Sequence, residues 1–218
     1  MRDAGPVRPT ILLASTLILV ASCGADGRTQ PLIDAVARIE IESCRPGPVG
    51  RATGKAVSTY GMVTVAHAFE GAGGFRVRGP GGELVDAELV HLDADLDVAV
   101  LRLGAPISEP LAFGESVGGG PASLVSAGDA DAVRVDDVHV RRPARVRLDG
   151  GLRRQAIELD ADIVPGDSGG PIVVDGEIVA MVFASSRRSA RGWALDVTEL
   201  RSALDAADVS TPVPLACR

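Results

Sequence analysis

Hydrophobic positions along the chain fall into three regimes. An uninterrupted apolar run from Ile11 to Ala21 comes first, preceded by Arg2 and Arg8. Gly24 to Asp34 is then short and polar, with Gly, Thr, Gln and Pro. From Val36 onward the pattern turns to short apolar or alternating segments broken by Gly, Pro and Asp, the signature of an all-β sandwich or barrel. The predicted strands form two sets. The first holds six: Val36 to Glu42, Thr53 to Thr59, Met62 to Ala66, Phe75 to Arg78, Glu83 to Leu92 and Val98 to Leu103. The second holds Ala122 to Ser126, Val133 to Arg141, Ala144 to Leu148, Gln155 to Asp160, Pro171 to Val174, Glu177 to Ala184 and Gly192 to Asp196. Gly104 to Pro121, rich in Gly, Pro and Ser, separates the sets. Near the end Val197, Leu200, Leu204 and Ala207 have helical spacing, so a short helix is expected over about 197–207, with Thr198 as its cap.

The first apolar run is too short to cross a bilayer comfortably and has the proportions of an export signal. Val20-Ala21-Ser22-Cys23 resembles the lipobox of bacterial lipoproteins, which implies a signal peptide over 1–22 and a lipid on Cys23. Residues 23–35 then form a short tether that keeps the domain near the membrane. Using Cys23 for lipid leaves Cys44 and Cys217 in a compartment where disulfides persist, and these two are expected to pair.

Composition supports a packed fold of one domain or two small subdomains. The chain has 218 residues, 46% hydrophobic and only 3% aromatic, so Val, Leu, Ile and Ala must fill the core. Lys55 is the only lysine among 22 basic residues, a usage that points to a GC-rich, bacterial genome. A net charge of -7 argues against general nucleic-acid binding. Local arginine groups, including Arg141 with Arg142 and Arg153 with Arg154, read as solvated strand faces or loops.

One stretch carries chemistry in the order of its residues. In Gly166-Asp167-Ser168-Gly169-Gly170-Pro171, glycines flank a serine and allow backbone N–H groups to converge where an oxyanion would develop. The hexapeptide resembles the nucleophile loop of the trypsin/chymotrypsin-like serine proteases. That resemblance requires a histidine and then an aspartate upstream. Met62-Val63-Thr64-Val65-Ala66-His67 and Asp97-Val98-Ala99-Val100-Leu101 resemble the family's segments bearing them, and His91 and His139 lack such context. Asp93-Ala94-Asp95-Leu96-Asp97 also mimics the opening of a calcium loop, but Val98 stands where that loop needs Gly and Gly104 where it needs Glu. No metal or organic cofactor is expected.

The resemblance implies two six-stranded Greek-key β-barrels, about 36–113 and 120–196, followed by the short C-terminal helix, all within a domain over 36–218. It also implies an active site in the cleft between barrels. Ser168 is then the nucleophile, His67 the general base and acid, Asp97 the residue that orients the imidazole, and the N–H groups of Gly166 and Ser168 the oxyanion hole. Asp160 to Pro165 and Val179 to Ala184 resemble actinobacterial membrane-anchored serine proteases of the acid-resistance type, in which a cysteine near the domain start pairs with one near the C-terminus.

Departures from the family pattern set further expectations. Thr53-Gly54-Lys55-Ala56 replaces a more usual Gly-Ser/Thr-Gly-Phe strand start and is expected to touch no catalytic group. No Ile-Val-Gly-Gly activation sequence is present, so Asp167 needs a partner other than a freed N-terminal amine, or substrate orders the oxyanion hole. Asp162, six residues before Ser168, stands where trypsin-like members place the acid of the primary specificity pocket, and otherwise reads as a solvated acid. Phe183, Ala184 and Ser185 are expected to form the pocket wall along which a polypeptide substrate pairs as an added strand. The function expected is an exported, lipid-anchored serine endopeptidase at the outer face of a bacterial membrane or in the periplasm. The alternative is a catalytically silent protease-like binding or sensing module.

Overall fold

The computed structural model describes residues 29–128, 132–147, 153–186 and 190–217. Residues 1–28, with the expected signal segment and Cys23, lie outside the described residues. A short helix α1 (Gln30–Asp34) enters the domain. Its Leu32 packs partly buried against Val36, Val125 and Val173, so part of the polar segment read as tether rests on the fold.

The first sheet contains β1 (Val36–Ser43), β2 (Gly50–Ser58), β3 (Gly61–Thr64), β4 (Ala72–Arg78), β5 (Leu84–Val85), β6 (Ala87–Asp93) and β7 (Val98–Leu103). Their order is β5-β4-β1-β2-β3-β7-β6, so the expected six strands are seven. The extra strand arises because Glu83 to Leu92 is divided at Asp86. Leu84–Val85 pairs with β4 at one edge of the sheet, and Ala87–Asp93 pairs with β7 at the other. Asp86, whose carbonyl accepts from Gly104 N–H at 2.7 Å, therefore joins the two edges and curls the sheet into a half-barrel.

The second set closes fully. It consists of β8 (Gly120–Ser126), β9 (Arg134–Arg147), β10 (Arg153–Asp160), β11 (Pro171–Val174), β12 (Glu177–Ser185) and β13 (Arg191–Asp196). They form a closed barrel in the order β10-β13-β12-β11-β8-β9. The two strands expected on either side of Pro143 are one. Strand β8 pairs with β9 only as far as Gly120 opposite Val140, so Pro143 lies where β9 pairs with β10 alone, opposite Ile157. Its missing N–H costs no ladder bond there.

Helix α2 (Val197–Ala206) follows β13 and buries Val197, Leu200 and Ala203. Its cap is Asp196, not Thr198, because the Asp196 carboxylate accepts from the Thr198 N–H at 2.9 Å. The largest core cluster spans both halves, joining Ile39, Met62, Val63 and Leu101 to Ala156, Met181, Phe183 and Leu195. This shared core sets the two halves against each other where the chain order of His67, Asp97 and Ser168 would require a site. Cys44 and Cys217 are disulfide-bonded across 173 residues, tying the end of β1 to the C-terminal strap. Among the described residues, no helix is long and apolar enough to cross a membrane.

Candidate active site

His67 sits on a 3-10 turn, Ala66–Phe69, directly after β3. Ala66 and Phe69 are buried and hold the turn to the core. His67 projects outward, with 44% of its side chain exposed. Asp97 ends the turn between β6 and β7 and is buried. Its carboxylate grips the histidine twice: Oδ1 accepts from the His67 backbone N–H at 2.8 Å, and Oδ2 lies 2.8 Å from Nδ1. That pairing leaves Nε2 as the basic nitrogen in the neutral ring. The Asp97 hydrogen bond holds the imidazole above its ordinary range, and burial works against it.

Ser168 comes from the second barrel, on the loop between β10 and β11. Together with His67, Gly166 and Pro165 it lines a cleft of about 340 Å³ between the halves. The Ser168 carbonyl accepts from Thr53 N–H at 2.8 Å, and Gly169 N–H donates to Val182 O at 2.8 Å. Gly170 N–H donates to Asp167 O at 2.8 Å. Among the described residues, the N–H groups of Gly166 and Ser168 have no such acceptor, as an oxyanion site needs. Gly166 is at φ +98°, and a Cβ there would lie 2.6 Å from Gly128 Cα. Gly169, at φ +88°, would place a Cβ 2.0 Å from the Thr53 carbonyl oxygen. Both glycines are thus required by the close backbone approach as well as by φ. The Ser168 and His67 side chains share the cleft without a hydrogen bond between them; such contacts commonly tighten only with substrate.

Thr53 corrects the expectation that its segment touches no catalytic group. Besides the bond to Ser168 O, its hydroxyl donates to Gly166 O at 2.9 Å and accepts from Ala127 N–H at 2.9 Å. A first-sheet residue therefore grips the serine loop from below.

Asp167 is fully buried and has three partners. Ser126 Oγ donates to Oδ1 at 2.5 Å, Arg134 Nη2 donates to the same oxygen at 2.9 Å, and Val164 N–H donates to Oδ2 at 3.0 Å. Asp167 thus has a cation, Arg134, from within the domain as its partner. Sequence reading missed Arg134, Ser126 and Thr53, since each meets the loop only through the fold.

The expected specificity residues are not among those that line this cleft. Asp162 is exposed on the segment leading to the loop. Beside it Ile163 turns inward, its Cγ1 only 2.4 Å from where a Cβ on Gly192 would stand. Phe183 is buried beneath Arg154, with the guanidinium 5.3 Å from the ring centroid. Ala184 is half-buried and Ser185 exposed, at a bulge in the β12–β13 pairing. Arg154 is itself buried, which overturns its reading as part of a solvated arginine group. Its parity with the inward Ala156 on β10 was the available signal. His91 and His139 lie on β6 and β9, away from the cleft.

Residues 52–181, more than half of the chain, match the family model of the trypsin-like peptidase domain. The serine protease Rv3671c of Mycobacterium tuberculosis is 26% identical over 215 residues, covering 94% of this chain and 53% of that protein. The serine protease Do-like HtrA of Lactobacillus helveticus is 28% identical over 143 residues, covering 62% of this chain and 35% of that protein. The chain spans about half the length, or less, of these curated relatives. The crystal structure of the Rv3671c protease in its active form has the same fold, with a TM-score of 0.81 at 22% identity over 100% of this chain and 98% of that one.

Proposed function

Because the chain belongs to the trypsin-like peptidase family, we propose that it is a serine endopeptidase that cleaves polypeptides through an acyl-enzyme. His67 Nε2 takes the Ser168 hydroxyl proton as Oγ attacks the scissile carbonyl carbon. The resulting oxyanion is held by the N–H groups of Gly166 and Ser168. The imidazolium returns its proton to the departing amine, leaving an ester on Ser168. Water, deprotonated by the same imidazole, then hydrolyses that ester. No cofactor enters this scheme.

The observation that carries the reading is the double grip of Asp97 on His67, at the backbone N–H and at Nδ1, in the cleft that Ser168 lines. An ordinary structural histidine needs no buried carboxylate fixing both its ring and its main chain. Turnover of an internally quenched peptide by the wild type, lost by 10³-fold or more in Ser168→Ala, is the expected result. Equal rates for the two proteins would remove the proposal and favour a silent binding module.

Substrate choice follows from the segment before the loop. Asp162 is the proposed partner for a substrate Arg or Lys, with Ala184 and Ser185 offering backbone for strand pairing and Phe183 closing the wall beneath. A peptide panel checks this: preference for a basic residue before the scissile bond, lost in Asp162→Asn, is expected. Preference for an apolar residue would transfer the role to Ile163.

The setting proposed is the cell envelope, with residues 1–22 removed on export and Cys23 carrying lipid. A relative from Chlamydia muridarum is described as a probable periplasmic serine endoprotease, in keeping with that setting. Radiolabelled fatty acid incorporated by the wild type and absent from Cys23→Ala supports the anchor; incorporation by neither protein excludes it.

A further inference from the structure

Arg154 has no part in the scheme above, yet its guanidinium lies against Asp97, the carboxylate that holds His67. It stands near the start of β10, and its side chain is only 7% exposed. Nε donates to Asp95 O at 2.7 Å, and Nη2 donates to Ala94 O at 2.9 Å. Nη1 lies 3.5 Å from Asp97 Oδ2, the oxygen that faces His67 Nδ1. Phe183 closes the other side, its ring centroid 5.3 Å from the guanidinium carbon. A second-barrel side chain thus holds two carbonyls and one carboxylate of the first sheet's β6–β7 turn.

That turn needs holding. Asp97 has φ +61°, a left-handed conformation that aspartate tolerates better than most residues with a Cβ but that still favours contacts holding it in place. Its carboxylate is also buried, and a buried anion requires compensation. While His67 is neutral and ready to act as a base, the imidazole supplies a hydrogen bond but no charge. Arg154 supplies the charge.

We propose that Arg154 is a positioning residue for the Ser168–His67–Asp97 relay, clamping the Ala94–Asp97 turn to the second barrel and balancing the Asp97 carboxylate while His67 is neutral. The inference rests on the peptidase reading. Lysine would keep the charge but cannot reach two carbonyls and a carboxylate with one planar fork.

The charged groups around His67 give the proposal a distinct pH signature. Asp97 from the β6–β7 turn and Glu70 from the end of the histidine's own turn favour the imidazolium, whereas Arg154 from β10 opposes it. Asp93, Asp95 and Asp97 in turn face Arg154. Removing the guanidinium therefore leaves only acids around the ring, and His67 retains its proton to higher pH.

The experiment measures the rate of fluorophosphonate labelling against pH for the wild type, R154M and R154K, with thermal melts to establish folding. R154M is expected to label about tenfold more slowly or worse at its optimum, with the acid limb displaced toward higher pH. R154K is expected to label several-fold more slowly than the wild type but to keep the wild-type limb. A folded R154M with the wild-type rate or the wild-type limb would overturn the proposal. If R154M does not fold, R154K decides: a reduced rate with an unmoved limb supports it, and either a full rate or a displaced limb contradicts it. A wild-type protein that labels at no pH overturns the peptidase reading itself, and the role of Arg154 with it.

Discussion

Arg134 Nη2 donates to Asp167 Oδ1 at 2.9 Å across 33 residues of sequence, beneath the serine loop. The acid is fully buried and the arginine side chain 39% exposed, so a cation from β9 neutralises a carboxylate that could not sit there alone. The loop's shape is thus held from within the domain. Arg134→Met should lower kcat at least tenfold by releasing the oxyanion donors. It should also cost about 1–3 kcal/mol, below the range for a fully buried pair because Arg134 is partly exposed. Kinetics and urea unfolding on the same protein check both. Unchanged kcat would mean that Ser126 and Val164 hold the loop unaided.

The internal cation also bears on activation. A protein beginning at residue 29 and blocked at its amine should be as active as its unblocked counterpart, within about twofold, because no N-terminal amine is needed for Asp167. Comparing acetylated and free forms on one peptide is sufficient. Loss of activity on blocking would show that a terminal amine is required after all.

Activity and stability should respond to acid in opposite directions through His67. Asp97 raises the imidazole pKa, with burial opposing, so the folded state holds the proton to higher pH than the unfolded chain does. This contribution to stability is fully present below the unfolded-state pKa and fades as pH rises through the folded-state value. The base must be neutral, so kcat/KM falls as pH drops through that raised pKa. Asp97→Asn should move the acid limb to lower pH and reduce kcat by about 10³–10⁴-fold through the wrong tautomer. A limb that does not move in Asp97→Asn would separate the acid from the titrating group.

The chemistry proposed for this site is carried in the sequence by local order. His67, Asp97 and the Gly166–Pro171 loop each stand in a short segment with its own pattern, and alternation located nearly every strand. The partners that shape the site are legible only in three dimensions. Ser126 lies 41 residues from Asp167, and Thr53 lies 113 residues from the Gly166 carbonyl it binds. Arg154 was hidden by its exposed neighbour Arg153, because a pair of arginines suggests solvent even though strand parity turns only one outward. Lys55 was also unexpected: it is completely buried, and burial pushes its amine well below the usual lysine range.

Thr53 offers a test of the link between the halves. Thr53→Val keeps the shape but removes the hydroxyl between Gly166 O and Ala127 N–H, leaving both without that partner. A loss of about 1–3 kcal/mol is expected, with a fall in kcat larger than any rise in KM, since the loop and not the cleft floor is loosened. Full stability and activity would show that the remaining Thr53 N–H bond to Ser168 O is sufficient.

The Cys44–Cys217 bridge closes a loop of 173 residues, for which the idealised entropic contribution is about 5 kcal/mol, with about 2–4 typical of real proteins. Replacing both cysteines with serine should lower the melting temperature by several degrees. The bridge borders a cavity that shares Glu70 and Gly71 with the cleft, so KM should rise as well. A melting temperature unaffected by the double replacement would confine the bridge to fastening the C-terminal strap.

Ser168 is proposed as a nucleophile activated by His67. Its most direct test is intact-mass and peptide mapping of the protein after exposure to a fluorophosphonate at neutral to mildly alkaline pH. One adduct is expected, on Ser168, absent from Ser168→Ala and formed at least 10³-fold more slowly in His67→Ala. An adduct on another residue, or none on the folded wild-type protein, would contradict it.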